Sequence, residues 1–313
     1  MMGRRWSWTI GASFLLLGAG QPAVQEPVVV DASFQPRIAA PAYAPGSGPT
    51  VLIDRAHHNG EALDGSAGAF ERLLTADGYR LRHLETPIDP MSLAGVDLLV
   101  IANALPAATA EESDTLGSAF TDGEIAALLH WVRRGGGLLL FVDHRPFPRA
   151  AAPLGRALGL ELLDGYALDY EVWDPLVFRR SDGTLAPHPI ADGRDPAERI
   201  DSAATFFGHA MRPLVADVQP LFVIGAGIES MHPAGLWEIG DDTPRTDVED
   251  WLQAATRVMG SGRVVVFGEA GMAVAQFVGP GAARRGMNTP EGAQNAQLLL
   301  NALHWLTGLL PES

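Results

Sequence analysis

The sequence predicts an α/β fold with a mostly parallel central sheet. Short apolar runs of strand length alternate with segments of helical periodicity after residue 50, as they do in β-α-β units. The clearest run, LLLFV at residues 138–142, is hydrophobic at successive positions rather than at alternate ones. That pattern is typical of strands buried on both faces of a parallel sheet. We therefore expect a sheet with helices on each side.

The first part of the domain alternates between strands and helices. We predict strands at 51–54, 79–84, 97–102 and 138–142, and helices at 66–76, from 121 onward and at 149–158. The helix after residue 121 opens with Thr121-x-x-Glu124, a capping box that satisfies two backbone donors at a helix start. Before it, residues 103–120 form a polar loop of a length that is uncommon unless the loop covers a site.

The second part is less regular. Between about 160 and 262, strand-like pieces are separated by turn-rich segments, which predicts an antiparallel or loop-rich insertion. The segments 253–259 and 263–267 flank a Gly-Ser-Gly turn. They predict a hairpin that leads into the last strand of the core.

A long helix is expected near the end of the domain. Asn288 or Thr289 is the predicted cap of this helix. Asn295 and Asn301 are then expected on its solvated face. Residues 50–310 are thus predicted to form one domain that includes the insertion.

The amino terminus predicts export. Arg4 and Arg5 precede a twelve-residue apolar segment at 9–20, which is short for a membrane span and is typical of a secretory signal peptide. We assign residues 1–25 to this peptide, with an uncleaved anchor as the alternative, and residues 26–49 to a Pro/Ala/Gly-rich linker or an arm on the domain surface. Since a lipoprotein requires a cysteine, we predict a periplasmic or secreted protein that is not a lipoprotein and has no stable membrane insertion after cleavage.

Composition excludes several classes of function. The 313 residues carry a formal net charge of −15, and all 22 basic residues are arginines. An acidic chain without a basic cluster is not expected to bind nucleic acid, since phosphate binding depends on neutralisation by cations. The absence of lysine excludes a Walker A lysine and Schiff-base chemistry, and the absence of cysteine excludes a thiolate nucleophile.

Polar side chains follow four of the predicted strands where each strand ends. They are Asp54 with His57, His58 and Asn59, then Asn103, then Asp143 with His144, and finally Glu269. Open α/β sheets bind their ligands outside the carboxyl ends of the strands. If these strands are parallel neighbours, all four groups converge on one edge of the sheet and predict a binding site there.

Several of these residues also have a structural interpretation. Asp143 could cap the turn after its strand, with His144 a buried, hydrogen-bonded histidine. Glu269 precedes the segment AGMAVAQ, and a helix starting there would stabilise its charge. His188 lies in a Pro-His-Pro-Ile turn of the insertion, where it is either functional or a loop anchor.

Metal binding is an alternative use of the same side chains. Imidazole and carboxylate ligands suit zinc, iron or manganese, and His57, His58, Asp143 and His144 are the candidate ligands. Their spacing matches no standard metal signature such as HExxH. We expect no cofactor, with a divalent metal as the alternative.

Tryptophans could add an aromatic platform for a carbohydrate. The candidates are Trp131, Trp237, Trp251 and Trp305. Trp131 and Trp305 lie on predicted amphipathic helices and are more readily explained as core residues.

A set of motifs resembles a known superfamily. The strings VLIDRAHHN, LLVIAN, WVRRGGGLLLFVDH, HPIADG and VVVFGEAGMAVAQF resemble the class I glutamine amidotransferase-like superfamily over roughly residues 50–310. Within it, the chain is most similar to a secreted bacterial domain family of unknown function and, more distantly, to the ThuA-like group, which has a string similar to HPI. The resemblance implies a flavodoxin-like three-layer sandwich.

The chain departs from that superfamily at its catalytic position. Catalytic members carry a cysteine nucleophile at the turn after the central strand, where this chain has Asp143 or His144. Because neither side chain supplies a thiolate, we expect no glutaminase activity.

Three functions remain in competition. The leading hypothesis is an exported protein that binds a small polar ligand, such as a sugar or a cell-wall fragment, at the strand ends. The second is a hydrolase in which the same cluster holds a metal and activates water. The third is a module that binds envelope proteins through the amino-terminal arm and the loop at residues 104–120.

Overall fold

The computed structural model describes residues 28–312 except 60, 61, 66, 67, 171, 173 and 174. The predicted signal peptide, residues 1–25, lies outside the described residues. The strands are β1 Val28–Val30, β2 Thr50–Asp54, β3 Arg80–Leu84, β4 Leu98–Ala102, β5 Gly137–Phe141, β6 Leu160–Leu162, β7 Tyr166–Leu168, β8 Leu176–Arg179, β9 Ser202–Thr205, β10 Met211–Pro213, β11 Val218–Val223, β12 Glu229–Met231, β13 Arg245–Asp247, β14 Leu252–Met259, β15 Gly262–Phe267, β16 Ala275–Val278 and β17 Ala283–Gly286. The helices are α1 Ala69–Ala76, α2 Ala110–Ser113, α3 Asp122–Arg133, α4 Phe147–Ala157, α5 Pro189–Asp192 and α6 Asn295–Leu306.

A nine-stranded mixed sheet forms the centre of the fold. One half is parallel, in the order β3-β2-β4-β5-β15. The other half continues through β14, β10 and β6, with β11 also on β14, and all of its pairings are antiparallel. The predicted α/β class is therefore confirmed, but "mostly parallel" describes only the first half. The direction changes because β14 and β15 form the predicted hairpin.

Strand β5 lies in the middle of the parallel half. Its residues pair with β4 on one side and β15 on the other, and all five are buried. Leu139 and Phe141 belong to the core layer beneath α1 and α6, while Leu138 and Leu140 belong to the layer beneath α3 and α4. Successive side chains point to opposite faces of a strand, so a continuous apolar run serves both layers.

Two predicted helix starts are wrong. Helix α1 begins at Ala69 rather than at the predicted residue 66, because its N-cap, Gly68, has an extended backbone with φ −66° and ψ 156°. Helix α6 begins at Asn295, because the Thr289 hydroxyl accepts the Gly292 N–H and closes a separate turn upstream.

Two further predictions, for the loop at residues 103–120 and for the asparagines of α6, are corrected by the structure. The loop at residues 103–120 contains the short helix α2, whose cap is Thr109. Asn295 and Asn301 are fully buried rather than solvated. The Asn301 amide donates to the carbonyl oxygens of Ile190 and Glu198 at 2.8 and 2.9 Å, so it joins α6 to the insertion.

The described part of the amino-terminal segment lies against the domain. Strand β1 pairs with β16 in antiparallel register, and the Ala42 N–H donates to Asp77 Oδ1 at 2.7 Å. The other oxygen of Asp77 lies 2.8 Å from His304 Nε2, and both side chains are fully buried. One carboxylate thus fastens the segment and α6 to the end of α1. Among the residues described, no helix combines the length and apolarity needed to cross a membrane.

Asp77→Ala is expected to lower the free energy of unfolding by about 3–5 kcal/mol, because it removes the buried acceptor shared by these two partners. Urea denaturation measures the change. Asp201→Ala is the control, since that carboxylate lies at the surface, 3.5 Å from Arg199, and should change stability by less than about 0.5 kcal/mol. Equal losses in both variants would contradict the role of Asp77.

Candidate functional site

The carboxyl ends of β2, β4, β5 and β15 lie along one edge of the sheet, because these strands are parallel neighbours. The side chains at this edge nevertheless form two separate groups. The histidine cluster comprises Asp54, His57, Asn59 and Glu124. The carboxylate cluster comprises Asn103, Asp143, His144, Glu269 and Arg285.

The histidine cluster is a hydrogen-bonded network in which Asn59 Oδ1 is buried without a partner among the described residues. His57 Nδ1 lies 2.8 Å from Asp54 Oδ2, and His57 Nε2 lies 3.0 Å from Glu124 Oε1. The amide of Asn59 donates to the same Asp54 oxygen at 3.1 Å. The second oxygen of Glu124 accepts from Thr121 in the predicted capping box. Both ring nitrogens of His57 are therefore occupied, and the cluster joins the loop after β2 to the start of α3.

Neighbouring charges offset the effect of burial on the pKa of His57. Burial lowers its pKa, but the hydrogen bonds and charges of Asp54 and Glu124 outweigh burial, and the net pKa is raised. The ring also packs on Phe120 with centroids 4.6 Å apart. His58, in contrast, is exposed, with a backbone φ of 51°. These positions favour a structural role for His57 and leave His58 outside the network.

Asn103 positions the turn after β5. It adopts the left-handed conformation, φ 51°, which asparagine tolerates better than most residues. Its backbone N–H donates to the Phe141 carbonyl at 3.0 Å, and its side-chain oxygen accepts the Asp143 N–H at 2.9 Å. The end of β4 thereby fixes the first polar residue beyond β5.

Asp143 and His144 present two hydrogen-bond acceptors. His144 Nδ1 must donate to the Arg145 carbonyl, 2.8 Å away, because a carbonyl oxygen only accepts. Burial lowers the pKa of His144, so the neutral ring carries its lone pair on Nε2. This nitrogen lies 3.9 Å from Asp143 Oδ1. The side chains keep small exposed fractions, 11% for His144 and 6% for Asp143, so both acceptors remain near solvent.

Aromatic rings surround His144. Its ring stacks on Tyr166 at 4.8 Å and meets Trp237 edge-on at 4.6 Å. Trp237 is 42% exposed and has a backbone φ of 63°, a conformation that bulky residues rarely adopt. The backbone N–H of Trp237 donates to the Tyr166 hydroxyl at 3.3 Å. Of the tryptophans considered from the sequence, Trp237 is the one that stands beside Asp143 and His144.

Glu269 lies beneath the edge of the sheet. It is fully buried, and its two oxygens accept the N–H groups of Gly271 and Met272 at 2.5 and 2.7 Å. Burial, followed by the charge of Asp143, raises its pKa to about 8. The predicted helix after it is wrong, because a single 3₁₀ turn at Gly271–Ala273 leads directly into β16. Glu269 therefore lies beneath the site, where its charge state affects neighbouring groups, and does not face a ligand.

The sequence did not indicate three neighbouring groups. Arg285 on β17 places positive charge near Glu269 and His144. His209 is fully buried and donates from Nδ1 to the Val142 carbonyl at 2.9 Å, while burial lowers its pKa to about 4. Glu124 was predicted only as a cap. Long-range pairing brings each of them to the edge, and no local motif marks such residues.

His188 lies away from this edge. Its Nδ1 accepts the Ile190 N–H at 3.1 Å, which caps α5, and its Nε2 lies 3.1 Å from the Thr256 hydroxyl. Its ring packs on Trp305, 5.2 Å between centroids, and burial lowers its pKa to about 4. The geometry corresponds to the loop-anchor interpretation.

The four candidate metal ligands are not gathered around one point. Within the described ranges, no group of three or more His, Asp or Glu side chains is arranged to hold a metal ion. Both nitrogens of His57 face carboxylates, and Nδ1 of His144 faces a carbonyl. A metal bound at His57 or at Nδ1 of His144 would have to displace these partners.

A cavity lies away from the edge of the sheet where the two polar clusters gather. It has a volume of about 720 Å³ and lies at the opposite edge of the sheet, lined among others by Asp97, Trp131, Arg134 and Arg263. Arg263 there already donates to the carbonyl oxygens of Trp305 and Leu310. Beside Asp54 lies a void of about 10 Å³, the size of one water molecule.

Comparison with known proteins shows similarity in fold. No protein-family model and no curated protein matches the sequence. The structure is similar to the mmIFT52 N-terminal domain, with 12% identity, a TM-score of 0.56 and coverage of 82% of this chain and 97% of that one. It is also similar to proteins described as ThuA-like from Bacteroides uniformis, with 17% identity, a TM-score of 0.47 and coverage of 86% and 95%, and from Parabacteroides merdae, with 12%, 0.42 and coverage of 84% and 91%. The first likeness shows a shared fold alone, and the other two TM-scores are too low to add to it.

His57→Gln should destabilise the protein in a pH-dependent way. A raised pKa in the folded state means that the contribution of His57 is fully present below its unfolded pKa, about 6.5, and is lost as the pH rises through the folded pKa. We expect a loss of about 1.5–3 kcal/mol at pH 6 that declines toward pH 9. Urea denaturation across this range measures it, with His58→Gln as the control at the adjacent exposed position. A loss that grows with pH would disprove the assignment.

Gly208→Ala tests the packing beneath the carboxylate cluster. A Cβ at this position would meet the carbonyl oxygen of Gly268 and lie 2.8 Å from Gln253 Nε2. We expect a loss of about 1–3 kcal/mol from overpacking, measured by thermal or urea denaturation. Gly281→Ala is the control, because no atom lies within 4 Å of its Cβ position. If Gly208→Ala leaves the free energy of unfolding unchanged, the turn before Glu269 can relax and the prediction is wrong.

Proposed function

We propose that the chain is an exported glutamine amidotransferase-like protein that binds a small polar ligand, a sugar or cell-wall fragment, where Asp143, His144 and Trp237 meet. Export is supported by the signal-like sequence of residues 1–25, which lie outside the described part. Numbered along the chain, the parallel strands have the order 2-1-3-4-5, which is the order of flavodoxin-like sheets and supports that finer assignment.

One observation carries the proposal: a half-exposed tryptophan ring stands beside two acceptors that keep contact with solvent. Trp237 has its ring 4.6 Å from that of His144, and His144 Nε2 lies 3.9 Å from Asp143 Oδ1. Bulky residues held at positive φ occur chiefly where the surrounding structure requires them, and functional sites are the usual place. The ring therefore supports a binding surface at this part of the edge.

The chemistry of the surface suits a sugar. A pyranose has faces made of C–H groups, which pack on an aromatic ring, and a rim of hydroxyl groups, which donate hydrogen bonds. Asp143 and the lone pair of His144 Nε2 offer neighbouring acceptors for two such hydroxyls. Ligand sites commonly combine aromatic walls with a few fixed polar groups in this manner.

The proposal does not include catalysis. Glutaminase chemistry of the amidotransferase type needs a thiolate, and the chain contains no cysteine. The carboxyl group with a raised pKa, Glu269, is fully buried with both oxygens on backbone N–H groups. Its full burial leaves it out of contact with solvent, where a ligand would bind. No cofactor is part of the proposal.

Trp237→Ala and Asp143→Asn should each weaken sugar binding at least tenfold. Binding is measured by isothermal titration calorimetry with a panel of neutral sugars, carboxylated sugars and fragments of digested cell wall. Met91→Ala is the matched control. Met91 is 82% exposed and lies next to Pro90, which lines the cavity at the opposite edge. Thermal denaturation establishes that each variant is folded. If no panel member binds the wild type, or if Met91→Ala alone loses binding, the proposal is wrong.

A further inference from the structure

Arg285 differs from its neighbour on the same strand. In β17, Arg284 pairs with Phe277 and is exposed, whereas Arg285 pairs with Gln276 and is half-buried. Adjacent strand residues point to opposite faces. Only Arg285 therefore faces the carboxylate cluster, and its charge acts on Glu269 and His144.

The guanidinium of Arg285 lacks a partner that a protein normally supplies. Its Nε is buried and its N–H donates to no acceptor among the described residues, and no described carboxylate lies within ion-pair distance. Two other arginines near the edge are engaged: Arg145 binds Asp114 in a fork at 2.7 and 2.8 Å, and Arg149 binds Asp164. Buried polar atoms are usually hydrogen-bonded, so an orphaned Nε beside a candidate site calls for an acceptor from elsewhere.

Gly271 lies close to the guanidinium of Arg285. Gly271 forms part of the 3₁₀ turn, and a Cβ there would lie 3.2 Å from Arg285 Nε. Glycine at this position thus permits the close approach of the guanidinium to the turn.

The charge balance favours an acid as the missing partner. With a pKa raised to about 8, Glu269 is largely protonated near neutral pH and neutralises little of the Arg285 charge. Asp143 accepts the His144 N–H at 2.9 Å rather than an Arg285 donor. A planar guanidinium matches a carboxylate through two parallel hydrogen bonds, which a neutral hydroxyl cannot reproduce.

We propose that the site takes a carboxylated sugar, with the ring on Trp237, hydroxyls on Asp143 and His144, and the carboxylate on Arg285. This inference rests on the proposed function and specifies its ligand class. The carboxylate could belong to a uronic acid of a polysaccharide or to muramic acid of the cell wall, and both present the same group.

Two matched pairs of sugars test the inference on the full chain. Glucuronic acid is compared with glucose, and N-acetylmuramic acid with N-acetylglucosamine, by calorimetry or by NMR titration. The wild type should bind the acidic member of at least one pair about tenfold or more tightly than the neutral member. The pair that shows the preference identifies the source of the carboxylate.

Arg285→Gln should remove the preference while leaving neutral-sugar binding unchanged, and Arg284→Gln should keep it. Arg285→Lys, which keeps the charge without the fork, should retain only part of it, and this variant serves if Arg285→Gln does not fold. If acidic and neutral sugars bind the wild type equally, or Arg285→Gln weakens both alike, the inference fails and the proposed function stands. If no sugar of either pair binds the wild type while other panel members do, the inference fails alone; if nothing binds, both fail.

Discussion

The position of β5 constrains the whole site. Its residues are buried on both faces and hydrogen-bonded on both edges, so a polar side chain within it would be buried without a partner. Polar chemistry can begin only where the ladder ends, at Asp143. Asn103, at the end of the neighbouring strand, then supplies the acceptor for the Asp143 N–H. The same contact satisfies a backbone group and points the chain toward His144 and α4.

The two clusters at this edge differ in how fully their polar atoms are satisfied. His57 has a carboxylate on each ring nitrogen, and Glu124 divides its oxygens between that ring and a helix cap. Such a network stabilises one arrangement, and the acceptor it leaves without a partner among the described residues, Asn59 Oδ1, is buried. Around Asp143, in contrast, His144 keeps an acceptor and Arg285 keeps a donor without a partner among the described residues. Buried polar atoms without a partner are exceptions in folded proteins, and a bound ligand is one way in which they become satisfied.

Much of the fold could be predicted from local sequence, and the site only in part. Apolar runs and the residues that end them lie within a few positions of each other, so the parallel strands and the polar edge follow from periodicity. The division of that edge into two clusters depends on Glu124 and Arg285, which long-range packing delivers. Asn301 was misplaced for a similar reason: an amide on a helix looks solvated until the carbonyl groups it binds, from a distant segment, are known. Arg284 and Arg285 are adjacent in the sequence but differ in exposure, because neighbouring residues of β17 point to opposite faces of the strand.

The location of the ligand is the central claim, and the indole N–H signals of the tryptophans after residue 25 test it most directly. Each signal is assigned with a single Trp→Phe variant, and the tightest-binding sugar is then titrated while the spectra are followed by NMR. We predict that the Trp237 signal shifts with saturation, while that of Trp131, which lines the cavity at the opposite edge, stays in place. A saturable shift of Trp131 with Trp237 unmoved would place the ligand at the other edge of the sheet and contradict the account.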